Sequence, residues 1–470
     1  MSRILIVTVS FCACLSLSGA QNHIRRLDGS TLTTAEIDSA VTRLMSAGNV
    51  TGLGLAIFND RRIAYRKAYG ERDAETSLPL TPDSVMTSAS FTKSTFAYMV
   101  MQLVQERVLD LDKPIQRYLS KPLSAYPAYA ELAGDPRYER ITARMLLSHT
   151  AGFPNLRILN AGRLNINFEP GSRYAYSGEG IQLLQMVVEE IARRPVADLM
   201  RERIFAAFGM TRTSMVWEPA FETDYANGYD ERGRSLGPQR RTRANAGGSM
   251  QTTLADFSRF IENVLRGRGL NRRTRSLMFS PQVTITSRTQ FPSLTTDTTD
   301  RNASIRLSYG LGWGLFWTPV GKAIFKEGHD DGWQHYTVMF DDVGTAIVMM
   351  TNSSNGEGIF QELLERLIKN TYTPIEWEGY TPYAERPPLA PLVEHRAVEI
   401  DPKLLDLYAG RYQPEGQPLW TVTREGNHLT VVEEGDTERV ALVPEDDRTF
   451  YAKATDAVAT FERDAAGRVT

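Results

Sequence analysis

SASFTKSTFAYMVMQLV, residues 88–104, sets a hydroxyl and an amine three positions apart where a helical pattern begins at about residue 92. Ser90 and Lys93 then share one helix face about one turn apart. A serine hydroxyl is a poor nucleophile until a neighbouring base takes its proton, and a lysine so placed can serve as that base. The spacing by itself also suits an ordinary first helix turn, so the segments around it must decide.

Working outward, Thr33 and Glu36 stand in capping-box spacing ahead of Ile37, Val41, Leu44 and Met45, which predicts a helix over 33–47 stopped by Gly48. Leu53–Phe58 and Ile63–Tyr69 read as a hairpin across Asn59-Asp60, and further helices are predicted at about 92–106, 179–193, 253–266 and 358–369. YGLGWGLFW (309–317), Tyr336–Phe340 and Thr345–Met350 read as antiparallel strands. Strands at both ends of a helical middle imply a mixed α/β (α+β) domain whose sheet draws on both chain ends, spanning 21–372. Residues 281–304, rich in Thr, Ser and Asp, read as a long surface loop or lid. The prolines of 373–399 read as an extended linker, and 400–470 as a small antiparallel β domain that stops as though a further strand should follow.

LLSHTAGFP (146–154), PGSRYAYSGEGIQLL (170–184), AGGSMQTTLADFSRF (246–260) and YGLGW (309–313) follow the Ser-x-x-Lys segment in order. Together these five segments resemble landmark segments of class C β-lactamases and their esterase and D-alanyl-D-alanine carboxypeptidase relatives, in the serine β-lactamase and penicillin-binding peptidase superfamily. The likeness covers about residues 30–372. It implies a β-lactamase-like antiparallel sheet flanked by helices with a helical subdomain. It also implies Ser90 as nucleophile, Lys93 as base or proton relay, and Tyr176 as the phenol that passes a proton to the leaving group. The family's Tyr-x-Asn appears here as Tyr176-Ser177-Gly178, without the amide. Its Lys-Thr-Gly or His-x-Gly corresponds to His329-Asp330-Asp331-Gly332 or, shifted by one, to Asp330-Asp331-Gly332. In the first register His329 is a site residue and the Gly332 amide joins that of Ser90 in an oxyanion hole. Asp331 then replaces a glycine, where it would narrow the substrate cleft or repel a carboxylate.

Composition bounds the rest. With 470 residues, 42% hydrophobic content and a net charge of −3, the chain is an ordinary globular protein without the basic footprint of a nucleic-acid binder. MSRILIVTVSFCACLSLSGA (1–20) has the charge, apolar core and small-residue exit of a signal peptide cleaved after Ala20, so export to the periplasm or medium is expected. Both cysteines, Cys12 and Cys14, fall inside it, which leaves the mature chain without disulfides or a thiol nucleophile. Beyond it no run is long and apolar enough to span a membrane. His149 reads as a satisfied core histidine rather than a base. His329 with Asp330 and Asp331 lacks a second histidine at ligand spacing, so no metal and no cofactor are expected. The sequence thus predicts an exported serine hydrolase of a small ester, amide or peptide, leaning to esters, with a D-alanyl-D-alanine carboxypeptidase or a β-lactamase as the alternative. The rival class is a penicillin-fold binding protein whose catalysis has decayed.

Overall fold

Thr33 and Glu36 cap each other as their spacing predicts: Thr33 Oγ1 accepts from the Glu36 amide at 3.3 Å and Glu36 Oε2 from the Thr33 amide at 2.7 Å. They open helix α1 (Thr34–Gly48). The left-handed residue that ends it is Asn49 (φ 52), not Gly48. Gly48 is a glycine because a Cβ there would lie 2.5 Å from Ile359, so the stop signal in the sequence is a packing signal. The computed structural model describes residues 23–469 except 161, 390, 392–394, 414–418, 434–438, 453–456 and 465–466, and the expected signal peptide lies outside the described residues.

One nine-stranded antiparallel sheet organises the larger body of the chain. Its strands are β1 (Gly52–Asn59), β2 (Arg62–Asp73), β3 (Leu78–Pro79), β4 (Val283–Thr284), β5 (Ser308–Tyr309), β6 (Gly314–Thr318), β7 (Gly321–Asp330), β8 (Trp333–Phe340) and β9 (Thr345–Thr351). They lie in the order β4-β5-β6-β7-β8-β9-β1-β2-β3, so both chain ends do supply it. Side chains alternate between two cores, as a two-residue period requires. Ala56, Phe58, Val348 and Met350 face a cluster holding much of helices α2 (Phe91–Gln105), α3 (Gly178–Ala192) and α4 (Leu254–Leu265). Leu55, Ile57, Ile347 and Met349 face α1 and α5 (Glu357–Ile368).

Strand β7 was absent from the sequence reading because GKAIFKEGHD shows no clean alternation: Lys326 and Glu327 are buried with the apolar residues. The run expected as one strand at 309–317 is broken instead. Gly312 turns it at φ +85 so tightly against α2 that a Cβ would lie 2.2 Å from that of Ala97.

Residues 400–469 form a separate six-stranded antiparallel sheet with its own small core, including Leu405, Tyr408, Leu429, Phe450 and Phe461. The stretch expected as linker, 373–399, departs from that expectation over its first half. Ile375, Trp377 and Tyr380 are buried in the α1/α5 core, and Arg386 Nη1 donates to Asn355 Oδ1 at 2.9 Å. The prolines there shape a strap that packs. Trp377→Ala should therefore destabilise this larger body by about 3–5 kcal/mol, the cost of emptying a buried aromatic site. Denaturant midpoints would show it, and a chain cut after Pro374 should unfold more readily than one cut after Pro388.

Candidate active site

Ser90 sits at the N-cap of α2, yet its side chain caps nothing, which leaves Oγ free for chemistry. Ala89 before it is held at φ +45, a left-handed conformation costly for a residue with a Cβ. What holds it there is a clamp on the segment 246–250: the Ser88 amide and hydroxyl both donate to Met250 O, and the Met250 amide donates to Thr92 Oγ1 at 3.1 Å. The Ser90 amide donates to no protein acceptor among the described residues, so it is available to an oxyanion.

Lys93 is buried, with Nζ 2.9 Å from Ser90 Oγ and 2.5 Å from Gly247 O. Burial, followed by the positive charge of Lys326, pulls its pKa down to about 7 against the opposing pull of Glu327 and Asp330. A large share of Lys93 is therefore neutral near pH 7 and able to accept the Ser90 proton.

Tyr176 is positioned by His149. His149 Nδ1 accepts from the Ser177 amide at 3.2 Å, its backbone O accepts from the Ala175 amide, and its ring lies 4.5 Å from the phenol ring. Burial holds His149 well below its usual pKa, so it is a neutral brace, though its Nε2 has no partner among the described residues. Ser177 caps α3 through Gly180, and burial together with Glu327 pushes the Tyr176 phenol well above its usual value. At neutral pH it is a neutral hydroxyl.

The cation at this phenol is Lys326, whose fully buried Nζ lies 3.1 Å from Tyr176 Oη and 2.6 Å from Glu327 Oε1. Sequence reasoning missed it. The signal was legible, because Lys326-Glu327-Gly328 has the Lys-x-Gly form three residues before the histidine chosen instead. His329 turns away from the phenol, its Nδ1 2.7 Å from Glu357 Oε1 on α5, and that carboxylate raises its pKa.

The glycine expected in the oxyanion hole is placed differently. Asp331-Gly332 form the two-residue turn between β7 and β8, where Gly332 takes φ +79 and packs against Gly228 and Tyr229. Its amide donates to Ser354 Oγ at 2.9 Å and is not free for an oxyanion. Asp331 is exposed at the cleft rim, while Asp330 lies deeper. Register locates the alternative: β6 leaves β7 after the pair Gly314–Phe325, so residues 326–330 are bonded to β8 on one side and form an open strand edge on the other. Gly328 passes so near the segment leading to Ser90 that a Cβ would lie 3.1 Å from Ser88 O.

Ser90, Lys93, Tyr176, Glu327 and His329 line a cleft of about 1920 Å³ that also takes in Asn155, Arg241, Asn245, Gln290 and Phe291. That exceeds the roughly 300–1,000 Å³ of a small-ligand pocket, so the cleft has room for substrate portions on both sides of a scissile bond. Gln290 and Phe291 come from the 281–304 loop, which Arg173 fastens by donating to Leu294 O and Thr295 O.

The family model described as Beta-lactamase matches residues 37–369. Penicillin-binding protein 4* of Bacillus subtilis is 22% identical over 433 residues, covering 83% of this chain and 86% of that protein. A D-aminopeptidase of Brucella anthropi is 27% identical over 205 residues, 42% of this chain and 39% of its own length. Among solved structures, the octameric penicillin-binding protein homologue from Pyrococcus abyssi aligns over 92% of this chain and 97% of its own, with a TM-score of 0.58 at 19% identity. A D-alanine carboxypeptidase from Burkholderia cenocepacia aligns over 68% of this chain and 93% of its own, at 0.54 and 22%.

After burial, the charge of Lys326 is the largest influence holding Lys93 neutral. Replacing Lys326 with Met removes the repelling cation and leaves Glu327 without its cationic partner, and both changes favour charged Lys93. The acid limb of kcat/KM, centred near Lys93's value of about 7, should move up by roughly one pH unit or more. Profiles of wild type and Lys326→Met on one neutral ester would show the shift.

Proposed function

Because the chain belongs to the beta-lactamase family, we propose that it hydrolyses a small ester or amide through an acyl-enzyme on Ser90. The observation that carries this reading is the 2.9 Å approach of a buried, partly neutral Lys93 to Ser90 Oγ. Oγ attacks the substrate carbonyl carbon as Lys93 takes its proton, and the carbonyl oxygen becomes the oxyanion facing the Ser90 amide. The bond to the leaving group breaks as that group takes a proton passed through Tyr176. Water, giving its proton to the same relay, then cleaves the Ser90 ester and regenerates the hydroxyl.

We further propose that esters are preferred to β-lactams, and the support lies at Gly178. The Gly178 amide donates to Asn155 Oδ1 at 3.1 Å, and a Cβ would lie 2.8 Å from Asn155 O. The backbone thus leaves no space at this position for the asparagine of the family's Tyr-x-Asn. A β-lactam or D-alanyl peptide loses a hydrogen bond to its acylamino group, worth on the order of 0.5–1.5 kcal/mol, whereas a simple ester has no such group to satisfy. Residues 1–20 support export by the same chain, which N-terminal sequencing of the secreted protein would test.

Normalised to uncatalysed hydrolysis, p-nitrophenyl butyrate should be turned over with higher kcat/KM than a chromogenic cephalosporin. Efficient cephalosporin turnover with ester hydrolysis at background would reverse that preference. Ser90→Ala should lose fluorophosphonate labelling and turnover by a factor on the order of 10⁴ or more. Labelling at the wild-type rate in that variant would remove Ser90 from the role.

A further inference from the structure

Asn155 fastens the start of helix α3 to the segment 154–160. Its Oδ1 accepts from the Gly178 amide at 3.1 Å and its backbone O from the Glu179 amide at 3.0 Å, while the Gly180 amide donates to Ser177 Oγ at 2.8 Å. The first three amides of α3, free in an uncapped helix, are thereby used. Arg157 is occupied too: its Nη2 donates to Glu179 Oε2 at 2.9 Å and its Nε to Glu179 Oε1 at 3.2 Å. This wall of the cleft satisfies these polar groups internally.

What it leaves uncovered is a pair of leucines. Leu156 and Leu159 flank Arg157 in a single turn, the Leu159 amide donating to Leu156 O at 3.1 Å, and both line the cleft that holds Ser90. Side chains three apart in such a 3₁₀ turn point the same way. They are 41% and 70% exposed, and Leu159 is the most exposed large apolar side chain among the described residues. Leu156 Cδ2 lies 3.6 Å from where a Cβ on Gly178 would stand, so a methyl group occupies the neighbourhood in which the family's asparagine side chain would begin. Single exposed leucines are ordinary on a protein surface, but two together inside a concave site mark a place that a ligand covers.

The occupant this wall suits is long enough to reach both leucines and brings no polar group. An acylamino group would carry an N–H and a C=O to a surface whose amides and guanidinium are already bonded, at the cost of leaving them unpaired. A run of methylenes makes no such demand and removes the leucines from water. We infer that Leu156 and Leu159 form a groove for an unbranched aliphatic acyl chain, so that the esters cleaved at Ser90 are those of fatty acids longer than butyrate. This deepens the ester reading and rests on Ser90 as the nucleophile.

The test compares p-nitrophenyl octanoate with p-nitrophenyl butyrate on the full chain, each kept below the concentration at which it self-associates. Wild-type kcat/KM should favour the octanoate by about tenfold or more, four added methylenes at about twofold each for a chain half covered by protein. In the double variant Leu156→Asn, Leu159→Asn the ratio should fall to about threefold or less. Both side chains are exposed, and reading a ratio within each protein keeps a general loss of activity from imitating the effect. A wild-type ratio near one, or a ratio unchanged in the variant, overturns the groove. Phosphonylation by ethyl butyl- and ethyl octylphosphonofluoridate separates this failure from that of the hydrolase reading. Faster labelling of Ser90 by the octyl reagent is expected. Equal labelling by both overturns the groove and leaves Ser90 as nucleophile, whereas labelling by neither sinks the nucleophile assignment and the groove with it.

Discussion

A lysine amine buried against a serine hydroxyl is the constraint around which this molecule is arranged. Lys93 can act as a base only where water is scarce and another positive charge is near, and both conditions come from distant parts of the chain. Helix α2 supplies the amine and the hydroxyl one turn apart, and residues 246–250 cover them and offer Gly247 O. Strand β7 brings Lys326, whose charge opposes protonation of Lys93. Placing two lysines beside one phenol is unfavourable unless carboxylates are added, and Glu327 adds one directly. The buried polar group of Tyr176, Lys326 and Glu327 beside Lys93 is thus consistent with the need for one neutral amine.

The same need explains why a sheet edge lies in the cleft. Strand β7 continues past the end of its pairing with β6, so residues 326–330 pass beside the Ser88–Ser90 segment with backbone groups on one side unpaired by a strand. An open edge is ordinarily a liability to aggregation, and here it borders a cleft where an extended substrate would occupy it. The tight turn at Asp331-Gly332 ends the strand, which explains why Gly332 serves the hairpin and not an oxyanion.

Much of the fold was legible because it is local. The capping box at Thr33, the amphipathic runs of α3 to α5 and the apolar strands β1 and β9 declare themselves by period. So does the Ser90-Lys93 spacing, one helical turn written into the sequence. Strand β7 escaped because its buried lysine and glutamate imitate a polar loop. The third site motif was consequently read at His329, on the residue most conspicuous in sequence, when the buried amine three positions earlier reaches the phenol. Prolines in 374–388 were read by composition alone, and composition does not reveal that Trp377 and Tyr380 between them are core. Gln290 carried no signal, since its bonds to Glu327 and to Trp377 O depend on a loop meeting a strand and a strap.

The most direct measurement of the central claim is the rate of Ser90 phosphonylation by a small neutral fluorophosphonate as a function of pH, because that reaction requires only activation of the nucleophile. With Lys93 as the base the rate should rise through an inflection near pH 7, the value that burial and Lys326 give Lys93, and level off above it. A rate that still climbs through pH 9 to 10, as an ordinary lysine would impose, or one with no inflection between pH 5 and 9, would contradict the account.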